Sequence, residues 1–438
     1  MGHRVAVVGS GPSGLYAVQA LLRSERVASV DVLESLPAPY GLLRYGVAPD
    51  HPKTKRVARA LERVFDDPRV RFLGNVHVGR ELTREDLLAH FDAVVYATGA
   101  RYDRDLGIPG ESLAGSIGAA QFVAWYSGHP DEPKPTEWDG ARSLVVVGAG
   151  NVALDVSRIS LQPHPVLAGT DIPREVLEEL QEGAVSEVHL LCRRGPEHAK
   201  FSRVELGELL ELPDTRIVLH ADADRFADRP GLSREVLVNL KLFRQAGEAD
   251  FGDAAKVMHF HFWTVPTEIE GGAVGEDEDE VRGVRIRTAP PGAPVTEGRI
   301  EAQAVIRAIG YRGEPIPGLP FDRERRLIPN VEGAIPGTDG REYVTGWIKR
   351  GPTGVIGTNK GDAAETVTRL LAVLADRDEV PVAGPDVTEL LADRGVEVVT
   401  WADWHRIRAA EEALGAEYGA PTIKLVDREA LLGAAFSE

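Results

Sequence analysis

The feature that most constrains this fold is a glycine-rich turn close to the N-terminus. Gly9, Gly11 and Gly14 have the spacing G-x-G-x-x-G. They follow an apolar run at residues 4–8 and precede an apolar-periodic stretch that begins at Leu15. In a strand–turn–helix unit these glycines allow a tight turn, close backbone approach to a pyrophosphate, and helix–strand packing. The pattern therefore predicts a βαβ unit that binds a dinucleotide.

An acidic residue indicates which dinucleotide this first unit takes. Glu34 lies 20 residues after Gly14, at the end of the next predicted strand. A carboxylate there accepts hydrogen bonds from ribose hydroxyls, which favours FAD or NAD over a 2′-phosphorylated nucleotide. A further strand at 93–97 ends near Gly99. We expect the cofactor to contact Gly99 and the turn, in which Pro12 and Ser13 lie between the second and third glycines.

The same pattern occurs again in the middle of the chain. A predicted strand at 143–147 leads into Gly148-x-Gly150-x-x-Ala153, and the next predicted strand, 187–191, ends in Cys192-Arg193-Arg194. Two guanidinium groups suit a 2′-phosphate, which a carboxylate would repel. We expect NADP(H) to contact this turn and this arginine pair. The turn residues concerned are Gly148, Gly150, Asn151 and Val152.

Repetition of the unit predicts the domain organisation. The fold class is α/β, with two Rossmann-like dinucleotide-binding domains and the NADP domain inserted in the FAD domain, a glutathione-reductase-like architecture. The expected FAD domain is 1–106 plus 311–438, and the NADP(H) domain is 107–310. Residues 376–438 are expected to form a C-terminal α/β appendage, with strands at Val396–Thr400 and Thr422–Val426 around a helix at Trp404–Leu414. Residues 257–287 are predicted to form β-ribbons with an acidic loop at 276–280.

Composition excludes several classes of redox protein. Cys192 is the single cysteine among 438 residues, so the chain has no internal disulfide, redox-active cysteine pair or cysteine-bound iron–sulfur cluster.

A formal charge of −18 argues against nucleic acid or an anionic membrane as the default partner. No apolar run reaches the roughly 18 residues of a membrane span. The first predicted strand leaves no room for a signal peptide, so we expect a cytoplasmic protein, and nothing compels more than a monomer.

Several segments resemble one known family. Residues 37–51 (PAPYGLLRYGVAPDH) and 346–357 (GWIKRGPTGVIG) resemble the signatures of adrenodoxin reductase and its bacterial relatives, the NADPH–ferredoxin reductases. Shorter matches occur at 150–155 (GNVALD), 193–196 (RRGP) and 201–208 (FSRVELGE). The segment from Trp401 to Asp427 is similar to the extension of the bacterial members.

The resemblance implies a reaction and a set of residues. NADPH would transfer a hydride to FAD, and reduced FAD would pass single electrons to a ferredoxin-type iron–sulfur protein. His51 and Glu208 match a facing pair near the flavin–nicotinamide contact, and Asp155 matches a carboxylate nearby. Arg193 and Arg194 match the 2′-phosphate clamp, with Glu205 beside it. The remaining matched cofactor contacts are Leu42, Trp347, Gly354, Val355 and Ile356, of which Gly354 is also assigned to NADP.

Two physical roles can be attached to these segments. The loop at 351–357 precedes a predicted helix, whose N-terminus would stabilise negative charge on reduced flavin. For His51 the open roles are proton exchange with flavin and orientation of the nicotinamide carboxamide. Ferredoxins tend to be acidic, so we expect docking on a basic face, predicted as one helix over residues 52–63. Its basic residues include Lys53, Lys55, Arg56, Arg59 and Arg63. Lys241, Arg244 and the pair Arg325-Arg326 are further candidates.

Other functions compete with this interpretation. A thioredoxin-type reductase needs two close cysteines, and a glutamate-synthase-type small subunit needs a cysteine-rich N-terminal part; the sequence has neither. A NADPH-dependent flavin monooxygenase or diaphorase remains open, and so does a non-enzymatic NADP(H)-binding redox sensor. Electron output to an artificial acceptor distinguishes an enzyme from a sensor.

Overall fold

The chain forms two compact units. A computed structural model describes residues 2–132, 135, 141–183, 185–272, 279–377 and 386–437. The first unit consists of Met1–Val47, His51–Tyr102 and Tyr311–Glu438. The second consists of Ala48–Asp50 and Asp103–Gly310. Apart from the short segment Ala48–Asp50, each unit follows one block of the nested sequence pattern.

Strands and helices alternate along most of the chain. The N-terminal stretch contains strands β1 (His3–Val8), β2 (Val27–Leu33), β3 (Val70–Leu73), β4 (Ala93–Tyr96) and β5 (Tyr102–Asp103), and helices α1 (Pro12–Leu21), α2 (Leu42–Tyr45), α3 (Pro52–Lys55), α4 (Ala58–Leu61) and α5 (Arg84–His90). The middle stretch contains β6 (Ser116–Gly118), β7 (Ser143–Val147), β8 (Glu187–Cys192), β9 (Thr215–His220), β10 (Lys256–Phe262), β11 (Thr264–Glu270), β12 (Gly283–Thr288), β13 (Thr296–Glu301) and β14 (Ala304–Arg307). Its helices are α6 (Ala119–Tyr126), α7 (Asn151–Leu161), α8 (His164–Ala168), α9 (Arg174–Gly183), α10 (Arg203–Leu210) and α11 (Arg234–Glu248). The C-terminal stretch contains β15 (Tyr311–Arg312), β16 (Glu342–Val344), α12 (Trp347–Arg350), α13 (Thr358–Ala375), α14 (Val387–Asp393), α15 (Trp401–Tyr418) and α16 (Arg428–Ala435). Short 3₁₀ turns occur at Glu62–Asp66, Pro196–His198 and Ala223–Phe226.

A parallel sheet forms the centre of the first unit. Its strand order is β16-β4-β1-β2-β3, and every neighbouring pair is parallel. The strands are mostly apolar, as is usual for a parallel sheet that is covered on both faces. Strand β1 is buried along its whole length, and α1 packs beside it through Leu15, Val18 and Leu21. The glycine-rich turn between β1 and α1 therefore lies at the carboxyl edge of the sheet.

The second unit repeats this plan and adds a small sheet. Its main sheet has the order β6-β14-β7-β8-β10-β9, and a separate antiparallel sheet has the order β11-β12-β13. The ribbon prediction for 257–287 is correct from Thr264 onward but wrong for β10, which is a parallel strand between β8 and β9. Residues 276–278 of the acidic loop lie outside the described residues. The α/β fold class with two dinucleotide-binding units is confirmed.

The C-terminal part differs from its predicted secondary structure. The helix is longer than expected, and neither flanking strand forms. Val399 makes a single antiparallel bridge with Gly74, and Thr422–Val426 has no regular structure. A capping box at Thr400 begins α15, and Trp404 and Leu431 join the apolar core of the first unit. These residues are therefore an integral layer of that unit.

The predicted basic helix at 52–63 is also different in detail. It is divided into α3, α4 and the following 3₁₀ turn, so the segment is three short helical pieces and not one helix.

Among the described residues, no helix is long and apolar enough to cross a bilayer.

Candidate dinucleotide-binding sites

The first glycine-rich turn leaves space on one side only. A Cβ on Gly9 would lie 2.6 Å from the Ala97 carbonyl oxygen, and one on Gly14 would lie 1.9 Å from the Gly9 oxygen. A Cβ on Gly11, by contrast, would have no atom within 4 Å. Helix α1 begins at Pro12 with Gly11 as its N-cap residue. The turn is thus closed toward the sheet and open at the helix N-terminus, which is where a pyrophosphate binds.

Glu34 lies where the sequence predicts it, at the carboxyl end of β2. Its Oε2 accepts hydrogen bonds from the Ser10 backbone N–H at 2.9 Å and from the Ser10 hydroxyl at 2.6 Å. Its Oε1 accepts from the Ser35 hydroxyl at 3.1 Å and from Leu36 N–H at 3.2 Å. The buried carboxylate therefore holds the turn in place. Two of these four bonds come from hydroxyl groups, so the carboxylate is able to accept from hydroxyls.

Two segments distant in sequence pack against this turn. Tyr40 donates its N–H to the Ser10 carbonyl at 3.2 Å, and a Cβ on Gly41 would lie 3.3 Å from Gly11 Cα. A Cβ on Gly346 would lie 2.5 Å from the Ser13 Oγ. Close packing therefore holds Gly41 and Gly346 against the glycine-rich turn, and their chain neighbours Leu42 and Trp347 are half-buried.

The loop before α13 has the shape that the sequence predicts. Helix α13 begins at Thr358, directly after the glycine-rich segment. The Trp347 indole N–H donates to the Thr353 carbonyl at 3.2 Å, and this bond shapes the loop. Gly354 has φ +82°, and the Val355 side chain is 73% exposed, an unusual exposure for valine. Gly99, the other predicted contact, lies just after β4 with φ +70° and open space at its Cβ position.

The second glycine-rich turn has the same geometry in the other unit. A Cβ on Gly148 would lie 2.3 Å from the Ala308 carbonyl oxygen, whereas one on Gly150 would have no atom within 4 Å. Ala153 is fully buried in the third position of the motif, and Val152 lies half-buried in the first turn of α7. The Asn151 amide oxygen accepts the Ser202 N–H at 2.8 Å, which fixes the start of α10 beside the turn.

The two units differ at the end of their second strand. Gly9 N–H bonds to the Leu33 oxygen at 2.8 Å, and Gly148 N–H bonds to the Leu191 oxygen at 3.0 Å, so these turns are equivalent. The next residue is Glu34 in one unit and Cys192 in the other. Burial raises the pKa of the Cys192 thiol, so it stays neutral. The acid of the first unit is therefore replaced by an uncharged residue in the second.

Exposed cations and one buried carboxylate oxygen follow Cys192. Arg193 and Arg194 are both exposed, and Arg194 makes a long contact of 3.5 Å with the His198 oxygen. On α10, the Glu205 Oε2 is buried without a hydrogen-bond partner among the described residues. Glu205 therefore has an acceptor atom left for a ligand hydroxyl or an arginine.

Of the predicted catalytic residues, His51 belongs to the first unit, and Asp155 and Glu208 belong to the second. His51 is half-buried and is the N-cap residue of α3, and Glu208 is exposed on α10. Asp155 on α7 accepts a hydrogen bond from Arg158 NH1 at 2.8 Å. Arg158 is 1% exposed and also binds both Asp50 carboxylate oxygens at 2.7 Å each. Arg158 is not among the residues predicted from the sequence, although its i+3 spacing from Asp155 on a helix is a recognisable signal.

The class of protein follows from these two turns. Each turn has an open Gly position at a helix N-terminus. The strand beside the first turn is followed by the carboxylate Glu34, whereas the strand beside the second ends at Cys192 and is followed by two arginines. The residues present therefore fit two different dinucleotides. Comparison with known proteins agrees. The family model described as pyridine nucleotide-disulphide oxidoreductase matches residues 3–178.

Nearly full-length relatives narrow the class to a family. The chain is 43% identical to the NADPH-ferredoxin reductase FprA of Mycobacterium tuberculosis, with 98% of each chain covered. It is 36% identical to the mitochondrial NADPH:adrenodoxin oxidoreductase of Arabidopsis thaliana, with 98% and 95% covered. A solved structure of Mycobacterium tuberculosis FprA in complex with NADPH has a TM-score of 0.91 at 40% identity and full coverage of both chains. The chain belongs to the NADPH–ferredoxin reductase family that includes adrenodoxin reductase.

Proposed function

We propose that the protein oxidises NADPH and delivers the electrons to a ferredoxin-type iron–sulfur protein, with FAD bound in the first unit and NADPH in the second. The observation that carries this proposal is the contrast between Glu34 and the Cys192-Arg193-Arg194 sequence at equivalent positions. Bound FAD supplies the conversion of a two-electron hydride donor to one-electron output. Family membership favours this function over the monooxygenase and sensor alternatives.

In the first unit, the chain would bind FAD by hydrogen bonds and helix dipoles. The open side of Gly11 and the N-terminus of α1 receive the pyrophosphate, and Glu34 accepts the ribose hydroxyls. The N-terminus of the 18-residue helix α13 would place a positive dipole at the isoalloxazine. That dipole favours the reduced, negatively charged form. Exposed Val355, with Gly354 and Ile356, provides apolar surface for the same ring.

In the second unit, the chain would select NADPH by charge. Gly150 lets the backbone approach the pyrophosphate, and exposed Arg193 and Arg194 bind the 2′-phosphate. The orphaned Glu205 oxygen, close in sequence to the α10 N-cap at Ser202, is suited to hold one of these guanidinium groups in position. NADH lacks the phosphate, so it would lose the contacts of both arginines.

Three residues are proposed to act on the nicotinamide–flavin pair. His51 would orient the carboxamide or exchange a proton with flavin, and Glu208 would be its partner. Asp155 contributes a carboxylate whose direction is fixed by Arg158, because that guanidinium is also held bidentately by Asp50. Arg158 is accordingly a positioning residue.

Partner docking is proposed on the segment that follows His51. Lys53, Arg56 and Arg59 are exposed there, and Lys55 is half-buried. Glu62, the acid of this segment, is already engaged, since it accepts the Tyr40 hydroxyl at 3.0 Å and lies 3.5 Å from Arg408. The segment therefore presents net positive charge to an acidic carrier although the whole chain carries −18. We further propose that the protein is a monomer and that it is cytoplasmic. A lone free thiol is ordinary in the reducing cytoplasm.

Steady-state reduction of an added ferredoxin by NADPH tests the proposal. We expect NADPH-dependent reduction that falls as salt rises, because opposite charges steer the encounter. The variant Lys53→Gln with Arg56→Gln and Arg59→Gln should lose most of this salt dependence. Its NADPH oxidation with a small uncharged acceptor should be retained. Absence of electron output to either acceptor would support the redox sensor, and oxygenation of a small organic molecule would support the monooxygenase.

A further inference from the structure

A cluster of histidines lies on one face of the second unit's main sheet, apart from both glycine-rich turns. In the parallel register His189 of β8 lies opposite His259 of β10, and His261 of β10 lies opposite His220 of β9. Alternate residues of a strand point to the same face, so Glu187 shares the face with His189. Four imidazoles and one carboxylate therefore converge on three adjacent strands.

The contacts in this cluster are short and directional. The His189 Nδ1 lies 3.0 Å from the His261 Nε2, and the His220 Nε2 lies 2.9 Å from the His259 Nδ1. Glu187 Oε1 lies 3.0 Å from the His259 Nε2 and 3.3 Å from the His189 Nε2. The rings of His189 and His259 stack at 4.4 Å, and those of His220 and His261 stack at 3.9 Å.

The carboxylate determines which ring nitrogens act as acceptors. An acceptor beside Nε2 of both His189 and His259 assigns the ring proton of each to that nitrogen. The Nδ1 atoms of the two rings then carry the lone pairs, which accept hydrogen bonds from Nε2 of His261 and His220. This is the arrangement in which a carboxylate holds metal-ligating histidines by their second nitrogen.

Two of the four rings are largely shielded from water. His189 and His261 are 9% and 8% exposed. The cavity beside the rings has a volume of about 570 Å³, and the small sheet forms its other wall. Arg299 on that wall is neutralised by Glu270 at 2.6 Å and Glu301 at 3.2 Å.

We propose that this cluster binds one divalent transition-metal ion of the zinc type, with His189, His259 and His261 as ligands and Glu187 as the carboxylate that orients two of them. One nitrogen from each of the three rings falls within 4.8 Å of the other two. Nitrogens of a tetrahedral zinc site lie about 3.3 Å apart, since each Zn–N bond is about 2.0–2.1 Å. The 3.0 Å pair is already close to this spacing, whereas His259 is stacked nearly parallel to His189 and has to turn its ring for its lone pair to reach the same ion.

The ion would replace the hydrogen bond between His189 and His261. His261 binds through Nε2 as the tautomer that carries its proton on Nδ1, so no ligand needs to lose a charge. His220, exposed at the edge of the cluster, or a water from the cavity takes the fourth position. Imidazole donors suit Zn²⁺, Ni²⁺ and Cu²⁺ and do not suit Mg²⁺ or Ca²⁺. The three ligands join β8 and β10, so their ion would stabilise the second unit.

Metal titration of untagged, FAD-loaded protein tests the site. The protein is dialysed against EDTA, then titrated with Zn²⁺ by calorimetry and with Co²⁺ by visible absorption. We expect one ion per chain, tetrahedral Co²⁺ bands and a higher unfolding temperature with Zn²⁺. Glu187→Gln should weaken Zn²⁺ binding by about 10–100-fold, the usual loss when the orienting carboxylate is removed. His261→Asn should weaken it more.

The matched control is His77→Gln, because His77 is an exposed histidine in the first unit. It should leave Zn²⁺ affinity, stoichiometry and thermal stabilisation unchanged. Flavin absorption and circular dichroism verify the fold of each variant, and Glu187→Gln preserves side-chain volume if His261→Asn proves unstable. Absence of stoichiometric binding in the wild type, or equal affinity in Glu187→Gln and wild type, would overturn the proposal.

Discussion

Alanine in place of Gly11 should separate cofactor binding from folding. Gly11 has φ −66° and ψ 174°, a conformation that alanine adopts freely, and its Cβ would contact no atom of the protein. The variant should therefore fold with a free energy of unfolding within about 1 kcal/mol of wild type. If FAD binds as proposed, the added methyl group instead occupies the space through which the pyrophosphate approaches the backbone.

The expected loss of affinity follows from the hydrogen bonds involved. Each hydrogen bond between a backbone N–H and a charged phosphate contributes about 1.5–3 kcal/mol. Displacing one of them lowers FAD affinity about 10–150-fold. Gel filtration followed by flavin fluorescence measures the FAD retained, and apoprotein titration measures the Kd. Thermal unfolding of the apoprotein verifies that stability is preserved.

Gly150→Ala is the matched control for Gly11→Ala. Its backbone, at φ −125° and ψ 173°, is equally permissive, and its Cβ also meets open space. This variant should keep FAD and lose NADPH affinity by a similar factor. Gly14→Ala behaves differently, because its Cβ would lie 1.9 Å from a backbone oxygen, and we expect about 1–3 kcal/mol of lost stability. If Gly11→Ala retains wild-type FAD affinity, the assignment of the first turn to the pyrophosphate is refuted.

Three further predictions concern charged residues. Arg193→Ala with Arg194→Ala should weaken NADPH binding by about 1.5–3 kcal/mol per lost contact and barely change that of NADH; equal losses for both coenzymes, measured by titration, would contradict the phosphate clamp. His51→Gln should slow flavin reduction by NADPH in stopped flow without abolishing it, because hydride transfer needs no acid or base; an unchanged rate would remove His51 from the site. Arg158→Met should lower the free energy of unfolding by about 3–5 kcal/mol, since it leaves Asp50 and Asp155 close together without their shared guanidinium; a urea midpoint equal to that of wild type would show that the carboxylates do not need it.

Local motifs are predictable from the sequence because each is set by a few adjacent residues. The open position at Gly11 and the carboxylate of Glu34 follow from spacing that any βαβ unit imposes. The sequence of β10 instead favours a ribbon, because histidines at 259 and 261 alternate with phenylalanines and imitate a half-exposed strand. In the fold the imidazoles satisfy one another and are largely buried, so the polar face of the pattern does not face water.

Long-range packing cannot be predicted from sequence in this way. The contact between Gly346 and Ser13 joins residues more than three hundred positions apart. Glycine is needed at 346 because a Cβ there would lie 2.5 Å from the Ser13 Oγ, and only the structure shows this. Arg44 is a similar case: its side chain is 10% exposed, lies against the Trp404 ring and is bonded to Glu411 at 2.5 Å. An arginine inside a family signature has no local pattern that indicates its partner on α15. The prediction of two C-terminal strands is wrong because their apolar residues pack into the core without sheet partners.

The single cysteine rules out the disulphide chemistry named in the description of the matching family model. That model matches residues 3–178, yet Cys192 is the one cysteine in the sequence. Cys192 is 1% exposed, and burial raises the pKa of its thiol. It therefore has no second cysteine with which to form a disulfide, and it does not supply a reactive thiolate. Its Sγ lies 3.9 Å from the Gly148 oxygen, directly under the second glycine-rich turn, where it acts as a small uncharged residue. Cys192→Ala should therefore leave NADPH-driven reduction of an artificial acceptor unchanged, and a thiol reagent should modify wild type only after denaturation. A variant that kept both cofactors but lost electron output would place the thiol in the electron path.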